Sequence, residues 1–459
     1  MGQTVNTANI ASLSPADILD LSVERMAQGG DGVGRFQGYV IFASGGLPGE
    51  RVRVALESCK PGYARGRVIE VLTPAKERVA PRLPGADHIP WQHIAYDAQL
   101  RFKHDIVQEQ LTRLAGISPA PVAPVLPAAH PWGYRNIAHL HAQNDETTFA
   151  IGYYAANSHR VLDMPEDPLL LPVLNDTLAG LREALHKYPQ NLRSVRIDAL
   201  TLRGSATHGT AIAVLSGSGR LERLAESWLE RADALTGCVL SDHPSSRHRR
   251  TFGKPEPVSA PEPEPEASPL VLPEDLGGVT FWLSPDTFFQ SHTAQAEVLL
   301  QVVRSGLNLQ ADERLLDAYS GAGTFALPLS REVREVVAIE EHPAAVADGR
   351  RSARHNAIGN VTFVAGLVER ALPELDPTAP FAAAVLDPPR RGCHPLVLQA
   401  LAASRSPSPR LAYVSCHPGI LARDVRVLLD AGYHLVSVQP VDLFPQTPHI
   451  ESVALLERD

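Results

Sequence analysis

Two short stretches near the end of the chain carry side chains able to make and break covalent bonds. In Ala412-Tyr413-Val414-Ser415-Cys416-His417-Pro418 a cysteine closes an apolar run and leads into a proline-terminated turn. In Asp442-Leu443-Phe444-Pro445-Gln446-Thr447-Pro448-His449-Ile450-Glu451-Ser452-Val453 two proton acceptors stand close together, His449 and Glu451. A thiolate that adds to an electron-poor carbon splits one hard substitution into two easier steps. A base must then take a proton so that the thiol can leave. A strand cysteine can equally be inert packing, and Glu451 can equally be an exposed strand-edge acid. The surrounding elements have to decide.

From about Val271 to the end, apolar runs of buried-strand type (RLLDAYSG, EVVAIEE, VTFVAG, AAAVLDPP, RLAYVSC) alternate with helical stretches. This is the pattern of an α/β fold, a Rossmann-like doubly wound parallel sheet. Ligands of such sheets lie beyond the carboxyl ends of the strands, the edge where Cys416 falls. Leu315 to Phe325 reads as a strand, then a turn with Gly321 and Gly323, then a helix start. The next strand ends in Glu340, an acid able to accept hydrogen bonds from a ribose diol. The turn lacks the third glycine of the dinucleotide fingerprint, which favours S-adenosylmethionine over NAD, since the former has no pyrophosphate to cradle. The fourth strand ends in Asp387-Pro388-Pro389-Arg390 and sets Asp387 at the same edge. Arg390 stands where methylases of exocyclic amines commonly carry an aromatic, so carbon methylation remains open and amine methylation is disfavoured.

Upstream, residues 14–74 read as five or six short strands with Gly-rich turns, a small β-barrel of the OB type. Arg51, Arg53, Lys60, Arg65 and Arg67 are offset in that stretch only by Glu57, and Tyr63 and Phe36 could offer stacking faces. RNA binding and ordinary solvated strand positions both fit those residues. Residues 75–270 read as an α/β middle domain. It includes an amphipathic helix from Asp97 to Leu114, with Leu100, Ile106, Val107, Leu111 and Leu114 on its apolar side. His93, His139 and His141 read as structural rather than metal-binding. Residues 251–269 are rich in Pro and Glu and read as a flexible segment. The third domain is 271–459.

The 459 residues are too many for one core and suit about three domains. Apolar content of 44% with 20% charged residues marks a soluble globular class. The four cysteines (Cys59, Cys238, Cys393, Cys416) show no CxxC spacing, which points to an intracellular, cytoplasmic chain without a disulfide scaffold. No apolar run approaches the roughly 20 residues of a bilayer span, so no membrane association is expected. A net charge of −9 argues against coating nucleic acid by bulk charge but not against a local basic surface.

Taken together, WQHIAYDAQLRFK at 91–103, Ser284-Pro285-Asp286-Thr287-Phe288-Phe289-Gln290, DAYSGAGTF, DPPRRG, SCHP and FPQTPHIES make the chain resemble the tRNA and ribosomal RNA uracil-5-methyltransferases, including their N-terminal TRAM-type barrel. C5 of uracil is a poor nucleophile until a thiolate adds at C6. The resemblance implies Cys416 as that nucleophile and Glu451 as the base that removes the C5 proton. It implies Gln290, Tyr319, Glu340 and Asp387 as contacts to S-adenosylmethionine, with Thr324 and the Gly321 and Gly323 turn beside them. The partner it implies is a structured RNA, tRNA or 23S ribosomal RNA, whose target base must leave the stack. A monomer is expected. His417 replaces the family's usual asparagine and is expected to tune the site. Several relatives hold an iron–sulfur cluster on three cysteines before the WQH segment and a fourth later. Here Arg82 to Trp91 and Val161 to Pro165 contain no cysteine, so no cluster is expected and no metal site is assigned. RNA cytosine-5 methylases usually carry a cysteine directly after a proline in the fourth-strand motif; Asp387-Pro388-Pro389-Arg390 has none, and Cys393 comes too late. A binding factor that had lost the chemistry would still have to explain why every required position is filled.

Overall fold

The computed structural model describes residues 13–144, 148–155, 158–187, 194–242, 249–253, 270–375, 379–403 and 409–458. The chain forms two compact units. The first comprises Met1–Pro131 with Cys416–Arg426 and Val438–Ser452; the second comprises the rest.

In the first unit, β1 (Ile18–Met26), β2 (Gly32–Phe36), β3 (Tyr39–Ser44), β4 (Arg51–Lys60) and β5 (Tyr63–Thr73) close a barrel in the order β1-β2-β3-β5-β4. Closure comes from β4 pairing back on β1, with Ile18 opposite Ala55 and Ser22 opposite Arg51. Alternation along each strand sends Leu19, Leu21, Ile41, Val52, Val54 and Leu56 inward, so a short sequence fills its own core. Register shifts between β4 and β5 mark the bulges that bend these two long strands around the barrel. Phe36 packs against this core, whereas Tyr63 stays 38% exposed. The helix α1 (Tyr96–Gln110) runs on through a π-helical turn at Leu111–Ala115. That wider turn shifts the buried stripe: Leu111 and Ala115 face inward, and Leu114, expected on the apolar side, lies 49% exposed.

Beyond the barrel, the strands form two seven-stranded sheets. The first uses β6 (Ile137–Asn144), β7 (Phe149–Tyr154), β8 (Val161–Asp163), β9 (Val195–Gly204), β10 (Ala211–Gly219), β11 (Leu235–Ser241) and β12 (Arg249–Gly253), ordered β12-β11-β10-β9-β6-β7-β8. Two helices, α2 (Pro172–Lys187) and α3 (Leu221–Leu229), bring Leu174, Leu178, Leu181, Leu224 and Trp228 into one cluster with Leu140, Leu200, Leu202 and Leu215 of the sheet. Residues 251–253 of the Pro- and Glu-rich segment are part of β12 rather than linker, and 254–269 lie outside the described residues. The hairpin β13 (Leu272–Leu276) and β14 (Val279–Leu283) follows.

The second sheet consists of β15 (Arg314–Ala318), β16 (Glu335–Glu340), β17 (Val361–Ala365), β18 (Ala383–Leu386), β19 (Arg410–Ser415), β20 (His434–Val441) and β21 (Glu451–Glu457). Its order is β17-β16-β15-β18-β19-β21-β20, with β17 to β19 in parallel register. The winding reverses between β15 and β18. That is the switch point at which open α/β sheets leave a crevice for a ligand. Strands buried on both faces, such as the fully buried Ala383–Leu386, explain the continuous apolar runs in the sequence.

Candidate active site

The switch point carries most of the residues expected to hold a cofactor. Ala318 ends β15, and Tyr319 follows in the left-handed region at φ 66°, a conformation strained for a non-glycine residue. Its hydroxyl accepts from the His394 N–H at 3.2 Å, and burial pushes its phenol above the usual range. Gly321 has φ 57°, and open space lies where a Cβ would project. Gly323 has φ 86°; a Cβ there would meet Leu327 and Phe363 at 3.0 Å. Glu340, the last residue of β16, accepts from the Gly321 N–H at 2.9 Å and from the His342 N–H at 2.7 Å. Thr324 is buried beyond the turn. Asp387 follows β18, and its N–H donates to the Ala318 carbonyl at 3.3 Å. Desolvation raises its carboxyl to about 7. Gln290 donates to Asp387 at 3.4 Å. The structure thus brings Gln290 to Asp387, and Glu340 to the glycine turn.

Asp317 was not singled out in the sequence. It is fully buried, accepts from the Ala326 N–H at 2.8 Å, and leaves its Oδ1 without a protein partner, as is the Ser320 hydroxyl. Burial raises its pKa well above the usual value, and the nearby Asp387 and Glu340 carboxylates add to that rise. Buried polar atoms left unsatisfied beside an open glycine turn suit a ligand with amino, hydroxyl and ring-nitrogen groups, as S-adenosylmethionine has.

Gln290 sits in irregular chain between β14 and α4 (Thr293–Leu307), and buried polar groups hold that chain in place. Asp348 of the helix α6 (Pro343–His355; the short α5 is Ala326–Leu329) accepts from Ser284 N–H and hydroxyl, both at 2.7 Å, and from the Thr287 hydroxyl at 2.6 Å. Arg203, on β9, donates to the Thr287 carbonyl, and burial lowers its guanidinium to about 10. Asn136 donates to the Gln290 carbonyl at 2.8 Å. The phrase SPDTFFQ is therefore mostly scaffold: Ser284 and Thr287 lock the loop, Phe289 is buried, and Gln290 is presented. Phe288 is 70% exposed, an apolar ring turned to water two residues from Gln290.

Cys416 comes directly after β19 and is partly accessible. Glu451 opens β21, the neighbour of β19 in the sheet, and is only 4% exposed. His449, the other candidate base, is exposed. His417 accepts the Ile420 N–H on Nδ1 at 3.1 Å. It thereby caps the first turn of the helix Pro418–Asp430, a task the amide oxygen of asparagine performs equally well. The Gln28 amide nitrogen of the barrel unit lies 3.0 Å from the His417 ring nitrogens.

The loop before Glu451 has its own clamp, which the sequence did not reveal. Lys103 and Asp442 form an ion pair at 2.6 Å with both side chains fully out of water. Lys103 also donates to the Phe444 carbonyl at 3.0 Å, and the Tyr96 hydroxyl donates to Asp442 at 2.7 Å. Burial pulls the Lys103 ammonium below its usual range, against the opposing pull of Asp442. Gln99 exchanges hydrogen bonds with Gln446, which is left-handed at φ 66°. The Trp91 N–H donates to the Gln446 carbonyl at 3.0 Å. Trp91 Nε1 reaches the Gly30 carbonyl at 3.2 Å, and a Cβ on Gly30 would strike Pro448 at 2.6 Å. WQHIAYDAQLRFK is thus the cradle of FPQTPHIE. Among the described residues no group of three or more His, Cys, Asp or Glu side chains is disposed to hold a metal. His93 is half-buried, and its imidazole is lowered to about 4 by desolvation and then by Arg78.

The four arginines of the barrel's basic stretch lie beside carboxylates from elsewhere in the barrel. Arg51 and Arg53 share Asp20, Arg53 also meets Glu70 at 2.6 Å, Arg65 meets Asp31 at 2.7 Å, and Arg67 faces Glu57 at 3.8 Å.

Residues 278–459 match the family model described as tRNA (uracil-5-)-methyltransferase, and residues 16–69 match the TRAM domain. An RNA methyltransferase of Thermosynechococcus vestitus is 37% identical over 95% of this chain and 97% of its own length. Another, of Nostoc, is 37% identical over 96% of each chain. The chain belongs to the RNA uracil-5-methyltransferase family. Among solved structures, the tRNA (uracil-54, C5)-methyltransferase of Pyrococcus abyssi, in complex with S-adenosyl-L-homocysteine, has the same fold. Its TM-score is 0.73 at 23% identity, covering 95% of this chain and all of that one.

Proposed function

We propose that this protein methylates C5 of a specific uridine in structured RNA, tRNA or 23S ribosomal RNA, with S-adenosylmethionine as donor. The observation that carries the reading is the pairing of a partly accessible thiol leaving β19 with a buried carboxylate opening the adjacent β21. Cys416 adds to C6 of the uracil ring and makes C5 nucleophilic. S-adenosylmethionine, when bound, supplies an electrophilic methyl group for C5. Glu451 then removes the C5 proton, and the Cys416 thiolate departs as the ring regains its double bond. Gln290, Tyr319, Gly321, Gly323, Thr324, Glu340 and Asp387 hold the donor, with Glu340 on the ribose hydroxyls. The target uridine is flipped out, since a thiol cannot reach C6 inside a stacked helix. The boundaries 14–74, 75–270 and 271–459 divide the work into RNA-binding barrel, middle domain and catalytic domain.

Nucleoside mass spectrometry on unmodified tRNA and ribosomal transcripts tests this. Wild type forms 5-methyluridine on one of them, and Cys416→Ala lowers the rate on the order of 10³-fold or more. Glu451→Gln accumulates a protein–RNA adduct that survives a denaturing gel. Appearance of 5-methylcytidine, or an unimpaired Cys416→Ala, would overturn the assignment.

A further inference from the structure

The mixed sheet of the second unit is covered unevenly. On β6, Ala138, Leu140 and Ala142 belong to the core with α2 and α3, so His139, His141 and Gln143 alternate to the opposite side. That opposite side is sealed at Ile212, Val214 and Val239, which pack with Leu270 and Leu272. Among the described residues, nothing comparable seals it over β6, β7 and β9. There the His141 and Tyr154 rings stack at 3.8 Å with 17° between planes, and His159 meets Tyr154 edge-on at 5.5 Å. His139 bonds Thr201 at 3.1 Å, and Arg196 reaches Asp198 at 2.9 Å. Two adjoining depressions of about 540 and 530 Å³ cross these strands and share Arg196 and Asp198.

Tyr154, stacked on His141, is 41% exposed, and His141 is half-buried. Burial lowers the pKa of both His139 and His141, which favours the neutral rings. Arg196 on this face lies beside Asp198 with its side chain 76% exposed. Neutral rings of this kind are good chemistry for flat, uncharged π-systems. Aromatic and imidazole groups on an open sheet stack on bases that are not hidden inside a duplex.

We propose that the open face of β6, β7 and β9 is a stacking platform for unpaired nucleobases of the substrate RNA, built from residues other than those assigned to the reaction. It rests on the RNA reading above. The test measures fluorescence anisotropy of a labelled single-stranded oligouridine with the full chain, and 5-methyluridine formation in the same preparations. The double variant His141→Ala/Tyr154→Ala should bind at least about tenfold more weakly, while Tyr154→Phe, which keeps the ring, stays within about twofold of wild type. The double variant should also raise KM for RNA and leave kcat nearly unchanged. Equal binding by the double variant and wild type, or no binding by wild type, overturns the platform, and methylation by wild type in that case leaves the proposed function standing. Ring-dependent binding without methylation of either RNA would keep the platform and overturn the function instead.

Discussion

Two sets of ion pairs within the first unit do opposite things. Lys103 and Asp442 lie fully out of water and fasten the loop that leads to Glu451. The barrel pairs of Arg51, Arg53 and Arg65 are only partly covered, and water reaches both members of each. An exposed pair is weakened by water and salt and is worth about 0–1 kcal/mol. A buried pair whose partner is removed leaves a stranded charge and costs about 3–5 kcal/mol. Counting charges along the chain cannot separate these cases; burial does.

The comparison can be broken most sharply at Lys103. Lys103→Met strands Asp442 in the interior and should lower unfolding stability by about 3–5 kcal/mol, read by denaturant melts. Adding Asp442→Leu should restore much of that loss, because two apolar side chains replace the pair. If Lys103→Met melts like wild type, the clamp is not what holds this loop.

A middle case is Asp387, which has no cation beside it among the described residues. Its folded pKa of about 7 lies above the ordinary 3.8, so its neutral form is the one the fold favours. The stability it contributes is fully present below about pH 4 and is lost as pH rises through about 7. Asp387 retains some contact with solvent, so the effect is on the order of 1–3 kcal/mol. Without donor bound, Asp387→Asn should therefore gain melting temperature over wild type at about pH 8 and little at about pH 5. A difference that does not change with pH would mean Asp387 ionises normally.

The smallest effect is expected at the barrel. Arg53→Ala or Arg65→Ala should shift stability by less than about 1 kcal/mol. Each should weaken RNA binding less than threefold, roughly, because each arginine already has a carboxylate partner. A large loss of RNA affinity in Arg65→Ala, with a steep salt dependence, would show that RNA displaces Asp31 and would restore the barrel as an electrostatic site.

Much of the catalytic half was readable because its chemistry is local in the chain. Gly321, Glu340, Asp387 and Cys416 each stand at or just beyond the end of a buried strand, and apolar runs followed by turn residues mark such ends. The barrel was readable for the same reason, since alternation with glycine turns is a short-range pattern. What the chain did not show were partners far apart in sequence. Asp348 holding Ser284 and Thr287, Arg203 and Asn136 holding the Gln290 loop, and Lys103 meeting Asp442 all join residues more than sixty positions apart. The carboxylates beside the barrel arginines were hidden at shorter range, since Asp20 comes from β1 and Asp31 from the turn before β2.

By itself the sequence determined which residue types could perform the reaction, the order of the strands that carry them, and the family to which the chain belongs. Only the tertiary structure decided that Glu451 is buried and His449 exposed, that His417 caps a helix, and that one sheet face bears stacked rings in the open. The physical reason is that composition and spacing set local backbone preference, whereas burial and charge pairing depend on which distant segments fold against each residue.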